Sequence, residues 1–328
     1  MHLTIAVPAL NLEQTEPLPP LETPALNTLL RFGSHTSLPT SVANFFAAYL
    51  WQGSLLAHAK KILGLQEKQY AVFASPVWQQ MGMHNVNMLG GSDLGITLQE
   101  AQAFCAGLSE FYADSALNFH AYRPDLWVVA LPTPVDWQVP CILDVMGMLD
   151  GTVRAEGQDA ELWLQLQTEI QMWLHSHPLN VERTQNNQPA INGIWLWQNL
   201  NGTLTDSPLL AADNEWAEAY QGPKLDLPYD YAAWQSMLAE QPDSDRHLIF
   251  LDDLIGPSHT GDLWAYKQTL ENWDNRFFAP IWQALQKGSL QSLTLATDGA
   301  DGGELIVKAR SGRAFWKRKR RFQGNWRA

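Results

Sequence analysis

The feature that most constrains this chain is a strand, helix, strand succession in its last third. HLIFLDD (247–253) and SLTLATDG (292–299) are short apolar runs ending in acidic or turn residues, and one long helical stretch, residues 261–288, lies between them. Two strands joined by a crossover helix pair in parallel, because only a long connection returns the chain to the starting end of a sheet. A third such run, LTIAVP (3–8), opens the sequence and leads into a Pro/Glu-rich connector (13–24). PALNTLLRFG (24–33) then predicts a helix, with leucines at 26, 29 and 30, Pro24 in the first turn and Gly33 where a helix stops. Another helix is expected from Thr40-Ser41 through Val42, Phe45, Phe46, Tyr49 and Leu50, with a hydroxyl to cap it. These elements predict an α/β fold, a mostly parallel sheet core flanked by helices.

The middle of the chain differs in texture. KQYAVFASPVW (68–78), NVNMLGG (85–91), LNFHAY (117–122) and DLWVVALP (125–132) read as strands. Between them, ITLQEAQAFCAGLSEFYA (96–113) reads as an amphipathic helix whose Thr97 and Glu100 have capping-box spacing. A further helix spans 158–177 and ends at His177-Pro178, and NGIWLWQ (192–198) is again strand-like. The expected organisation is a core from residues 1–66 and 191–328, with 67–190 as a smaller inserted α+β subdomain ending in the His-Pro-x-Asn segment.

Composition narrows the function classes. With 46% hydrophobic residues over 328 positions, the chain has ample apolar surface for a globular core. Two cysteines, Cys105 and Cys141, exclude a disulfide framework and a four-cysteine zinc site, and both read as buried thiols. No apolar run reaches the roughly 18–20 residues of a membrane helix, so no membrane insertion is expected. The opening MHLTIAVPALNLEQTEP reads as a first strand rather than a secretory signal, and a cytoplasmic location is the expectation. The net charge of -13 is unevenly spread: nine of the 21 Lys/Arg and none of the 34 Asp/Glu fall within 308–328, which puts +9 there and -22 elsewhere. An acidic body disfavours broad nucleic-acid binding, whereas the tail alone suits an anionic partner or lies across the acidic body.

The densest set of potential ligand groups is in EIQMWLHSHPLNVERTQNNQPAINGIWLWQNLNG (169–202). His175, His177, Asn180, Arg183, Asn187 and Asn192 cluster around one helix exit and strand entry. Such side chains either cap a Pro-broken helix end or hold phosphate or carboxylate oxygens, with Arg183 as the anion clamp. His175, His177, Asn180, Arg183 and Asn192 are therefore the candidate ligand-binding residues, for a small anionic metabolite.

The pattern His-Pro-x-Asn-x-x-Arg, Pro-Ala-x-Asn and Ile-Trp-Leu-Trp resembles a segment of archaeal-type cofactor-independent phosphoglycerate mutases, members of the alkaline phosphatase superfamily. It is more similar still to a bacterial family of RpfE-type regulatory proteins, described as predicted mutases. There the strand runs on into Trp-Gly-Gly-Gly; here it reads Trp197-Gln198-Asn199-Leu200. LETPALNTLLRFGS (21–34), LDDLIGPSHTGDLWAYKQTLENWDNRFFAPIWQAL (251–285) and SLTLATDGADGG (292–303) resemble three further blocks of the superfamily pattern. The resemblance implies an alkaline-phosphatase-like core, two divalent metals on Asp and His ligands, and a Ser or Thr that becomes phosphorylated.

Residue by residue, the ligand pattern is incomplete. The first strand ends in Pro8-Ala9-Leu10 where the family has Asp. Asp253 stands for the Asp of the middle motif, His259 matches its His only with two residues inserted, and Asp298 stands for the last Asp but is followed by Gly299 where a His is expected. No Ser or Thr between Ser34 and Ser41 lies in a nucleophile motif, and Ser75-Pro76-Val77-Trp78 replaces an Asp-Pro-Val-His by what reads as a structural turn. Asp253, His259 and Asp298 are the candidate metal residues, with no tightly bound cofactor expected and at most one divalent ion, Mg²⁺ or Mn²⁺. The functional expectation is a mutase-like pseudoenzyme, a regulatory or sensor protein for a phosphorylated or carboxylated metabolite. An active mutase or phosphotransferase with a rearranged metal site, and an interaction protein working through its basic tail, are the alternatives.

Overall fold

The computed structural model of the chain describes residues 1–12, 18–82, 86–149, 153–239, 244–313 and 316–326. Part of the connector read at 13–24, and Arg327 of the tail, lie outside them. The chain forms two compact units, one from 1–52 with 202–328 and the other from 53–201.

The first unit is built on a seven-stranded sheet in the order Lys224–Leu225, Leu209–Ala211, Arg246–Phe250, His2–Ala6, Ser292–Thr297, Gly303–Lys308, Ser34–Ser37. The first five strands are parallel and the last two antiparallel, which is the mostly parallel α/β core expected. His2–Ala6 lies in the middle, in register with residues 246–250 on one side and 292–296 on the other. Alternation along these strands sends Leu3, Ile5, Ile249, Leu293 and Leu295 to one face. There the helices Pro24–Phe32, Tyr231–Leu238, Leu263–Trp273 and Ala279–Lys287 bury Leu26, Leu29, Trp234, Leu270, Trp273 and Ile281 against them. On the opposite face Phe250 packs against Phe45 and Phe46 of the helix Val42–Tyr49, ring centroids 6.2 and 5.0 Å away.

Two helix ends depart from local capping rules. Thr23 makes no side-chain cap at the start of Pro24–Phe32; Asp274, 1% exposed, accepts the N–H groups of Ala25 and Leu26 at 3.0 and 2.7 Å instead. Asp274 can reach them because the helix read at 261–288 is interrupted by a π-helical turn, Asp274–Phe278, between its two α segments. At the other end Gly33 is required for space, since a Cβ there would sit 2.6 Å from Leu305 Cδ1.

The second unit carries an antiparallel sheet in the order Asn118–Arg123, Leu126–Leu131, Tyr70–Met81, Val86–Leu89, Gly147–Leu149, and Gly193–Trp197 pairs with Tyr70–Met81 as well. The helix Leu98–Phe111 starts with the capping box read from Thr97 and Glu100. Ala160–His175 packs on Gly193–Trp197, where the Trp163 indole N–H donates to Leu196 O at 2.8 Å.

Two expectations are corrected here. Residues 75–78 are not a turn: Tyr70–Met81 is one strand, and Pro76 falls where its neighbour changes from Leu126–Leu131 to Val86–Leu89, a place that tolerates a missing N–H. His177-Pro178 does not end the helical region either. His177 caps a new helix, Pro178–Gln185, with Pro178 in the first turn, where proline's preset φ is favourable. Cys105 is buried and Cys141 half-buried, both as free thiols, and burial raises the pKa of each.

Candidate functional site

The His-Pro segment lies in the second unit, and its polar side chains are engaged with that unit's own backbone. Asn180, buried, donates to Leu174 O at 2.8 Å and Ile191 O at 2.7 Å and accepts from Ile191 N at 2.8 Å. Asn192 exchanges two bonds with the backbone of Gln79, 2.7 and 2.8 Å. Arg183, 1% exposed, donates to Pro189 O at 2.9 Å, to Leu94 O, and to Glu100 Oε1 at 2.8 Å. Glu100 uses its other oxygen in the capping box, and its carboxyl lies below the usual range despite partial burial, held there by the Thr97 and Arg183 hydrogen bonds. His177 accepts from Leu179 N at 3.3 Å, and its ring sits 4.5 Å from Trp173 and 4.8 Å from Phe104, a partly apolar setting that lowers its pKa. His175 ends the preceding helix, exposed. The constellation therefore braces residues 186–192, Arg183 serving three acceptors at once as a planar five-donor fork can.

The parallel strands of the first unit deliver their carboxyl ends to one edge, the usual place for a site in an open α/β sheet. Asp213-Asn214 follow Leu209–Ala211, Asp252-Asp253 follow Arg246–Phe250, Pro8-Ala9 follow His2–Ala6, and Asp298 follows Ser292–Thr297. Buried Asp298 accepts the N–H of Ala9 at 2.7 Å, Ala9 itself adopting φ +59°. Asn214 donates to Asp252 and accepts the N–H of Trp216 at 2.8 Å. Burial pushes the Asp252 carboxyl up to about 6, with Asp213 and Asp253 adding to the rise and Asn214 opposing it. Asp253 is raised by desolvation and Asp213, against the Trp273 indole and Arg276. Ser41, the last hydroxyl of the 34–41 stretch, caps Val42–Tyr49 by accepting from Asn44 N at 3.3 Å.

Among the described residues no three His, Cys, Asp or Glu side chains are grouped to hold a metal ion, so Asp253, His259 and Asp298 do not form one ligand set. Asp298 is bonded to Ala9 at the end of one strand, Asp253 belongs with Asp213 and Arg276, and His259 sits within the short helix Ile255–Thr260. The residues present do not fit the two-metal centre that the resemblance implies.

A cavity of about 560 Å³ opens at the amino ends of the same strands. His2, Thr4, Ser292 and Thr294 line it with Tyr49, and Arg246 stands at its wall in an ion pair with Asp206. His2 Nδ1 and Ser292 Oγ are 2.7 Å apart. Burial and neighbouring Glu304 raise the pKa of Tyr49, which keeps its phenol neutral. The arrangement offers hydroxyls, an imidazole and an exposed guanidinium, partners for a small hydroxylated anion. Sequence reasoning missed both this cavity and Asp213-Asn214; the apolar run Leu209–Ala212 ahead of that acidic pair was a usable signal for a strand end.

No family model matches the sequence, and no curated protein does. Among solved structures, the PH0037 protein from Pyrococcus horikoshii is similar with a TM-score of 0.51 and 12% identity over 98% of this chain and 91% of that one. A cofactor-independent phosphoglycerate mutase from Thermoplasma acidophilum is similar at a TM-score of 0.41 and 14% identity, over 93% and 88% of the two chains. At these identities the likeness is one of fold.

Proposed function

We propose that this chain is a phosphoglycerate-mutase-like protein of the RpfE regulatory type that keeps an alkaline-phosphatase-like core, has lost the two-metal centre, and serves as a sensor of a small phosphorylated or carboxylated metabolite. The observation that carries this reading is the contact between Asp298 and the N–H of Ala9. The first strand supplies a backbone donor where a metal site needs a carboxylate, and the last strand's carboxylate is turned onto it. A fold can outlive its chemistry in this way.

The acidic carboxyl edge, with Asp213, Asp252 and Asp253, repels an anion, whereas the cavity at the amino ends can take one. In this reading the anionic group displaces Asp206 from Arg246, and Ser292, Thr294 and Thr4 meet the ligand's hydroxyls. Two measurements test it. Elemental analysis of the purified protein should find no stoichiometric Mn²⁺ or Zn²⁺, and mutase turnover should be negligible; two tightly held metals with turnover would establish the active-enzyme alternative instead. In thermal shift, 3-phosphoglycerate at 100 times its Kd should add about 2.7 kcal/mol of stability. Arg246→Ala should abolish that shift, and a shift that survived the substitution would remove the cavity from the proposal.

A further inference from the structure

The C-terminal segment is neither a loose tail nor a neutralising one. Phe322 and Trp326 are each 1% exposed and belong to the first unit's core. Phe322 N donates to Asn27 Oδ1 at 2.6 Å, Leu12 N to Gly324 O at 2.7 Å, Trp326 N to Asn11 Oδ1 at 3.1 Å and the Trp326 indole to Asp301 O at 2.8 Å. At the other end Arg31 Nε donates to Lys317 O at 2.8 Å and Lys317 Nζ to Phe32 O at 3.1 Å. Between these anchors Lys317, Arg318, Lys319, Arg320 and Arg321 run without helix or strand pairing, every one exposed. The rest of the chain carries -22, yet among the described residues no carboxylate forms an ion pair with any of the five. Trp316, 73% exposed, stands next to them.

We infer that residues 316–321 form a pinned cationic strap that binds single-stranded nucleic acid, a role independent of the metabolite site proposed above. Five residues of near-extended chain place their charges along about 13 Å. Anchoring at both ends means that little further backbone entropy is lost when a ligand arrives. The ligand class follows from width. A duplex or a bilayer presents an anionic surface broader than the strap and brings phosphates against an acidic body. A single strand can follow the narrow strip and stay clear of that body. Its unpaired bases can stack on Trp316, and stacking on an aromatic beside a basic track is how sequence-tolerant single-strand binding works.

The test is fluorescence anisotropy with the full chain and labelled 15-mers of thymidine and of uridine, a 15-bp duplex, and vesicles of phosphatidylcholine with phosphatidylserine. Single strands should bind best, and with about 0.7 counterions released per neutralised phosphate, affinity should fall roughly fifty-fold between 50 and 200 mM salt. Replacing Arg318, Lys319, Arg320 and Arg321 together by Gln should abolish binding, and Trp316→Ala should weaken it about five-fold or more with the salt slope unchanged. If the fourfold variant melts early, Arg318→Gln with Arg320→Gln provides the same reading, as a salt slope reduced by about 1.4. No single-strand binding at 50 mM salt, affinity retained in the fourfold variant, or a preference for duplex or vesicles overturns the inference, the last in favour of a broad anionic surface.

Discussion

Asp252 offers the sharpest check on the electrostatics of the first unit. Its carboxyl is raised from 3.8 to about 6, chiefly by burial at the end of the strand Arg246–Phe250. A raised carboxyl pKa means that the folded protein holds the proton more tightly than the unfolded chain. Asp252 therefore contributes most to stability below pH 3.8, and that contribution is lost as pH rises toward and through about 6. At about 1.4 kcal/mol per pH unit the loss is at most about 3 kcal/mol, fully developed above pH 7. Asp252→Asn imitates the protonated form: its side-chain oxygen still accepts from Asn214, and nothing titrates. Urea unfolding of both proteins at pH 4, 5, 6, 7 and 8 should give equal stabilities at pH 4 and a variant that is more stable by up to about 3 kcal/mol at pH 8. A difference that stayed constant across this range would refute the reasoning, because a carboxyl with an ordinary pKa is ionised in both states throughout most of it.

Two further outcomes follow from buried groups. Arg183→Ala should destabilise the second unit by about 3–5 kcal/mol in urea, because Glu100 loses its buried partner, and Arg183→Lys should recover only part of this since one ammonium cannot serve the acceptors on Leu94, Pro189 and Glu100 together. Trp326→Ala should cost about 3–5 kcal/mol in the first unit, and limited trypsin digestion should then cut at 317–321 under conditions where the parent chain resists.

How much of this was legible depended on whether the partner was local. The capping box needs only Thr97 and Glu100, three residues apart, and the sequence shows both. The partner of the same carboxylate, Arg183, lies 83 residues away and leaves no local trace. The parallel pairing of residues 247–250 with the first strand followed from apolar runs separated by a helix. The antiparallel partner of Gly193–Trp197 did not, because period-two alternation reports faces and never neighbours. The group of Asn180, Arg183 and Asn192 was visible as a concentration of hydrogen-bonding capacity. Whether that capacity points to a ligand or to carbonyls is decided by the path of residues 186–192. His2, Arg246 and Ser292 meet at one cavity only because three strands far apart in sequence are neighbours in the sheet, so no window of sequence could reveal it.

The place of His2–Ala6 at the centre of its sheet imposes an order on synthesis. The strand is the first structured piece to leave the ribosome, yet both of its neighbours, Arg246–Phe250 and Ser292–Thr297, come more than 240 residues later, and the cap of the helix after it is Asp274. At about 5–20 residues per second, an apolar strand and an uncapped helix wait roughly 15–60 s for their partners. Residues 53–201 are contiguous and can fold during that wait. The nascent N-terminal segment is thus an obligate client of whatever shields apolar chain at the ribosome, and a ribosome stalled before residue 246 holds a folded second unit beside a first unit that cannot begin.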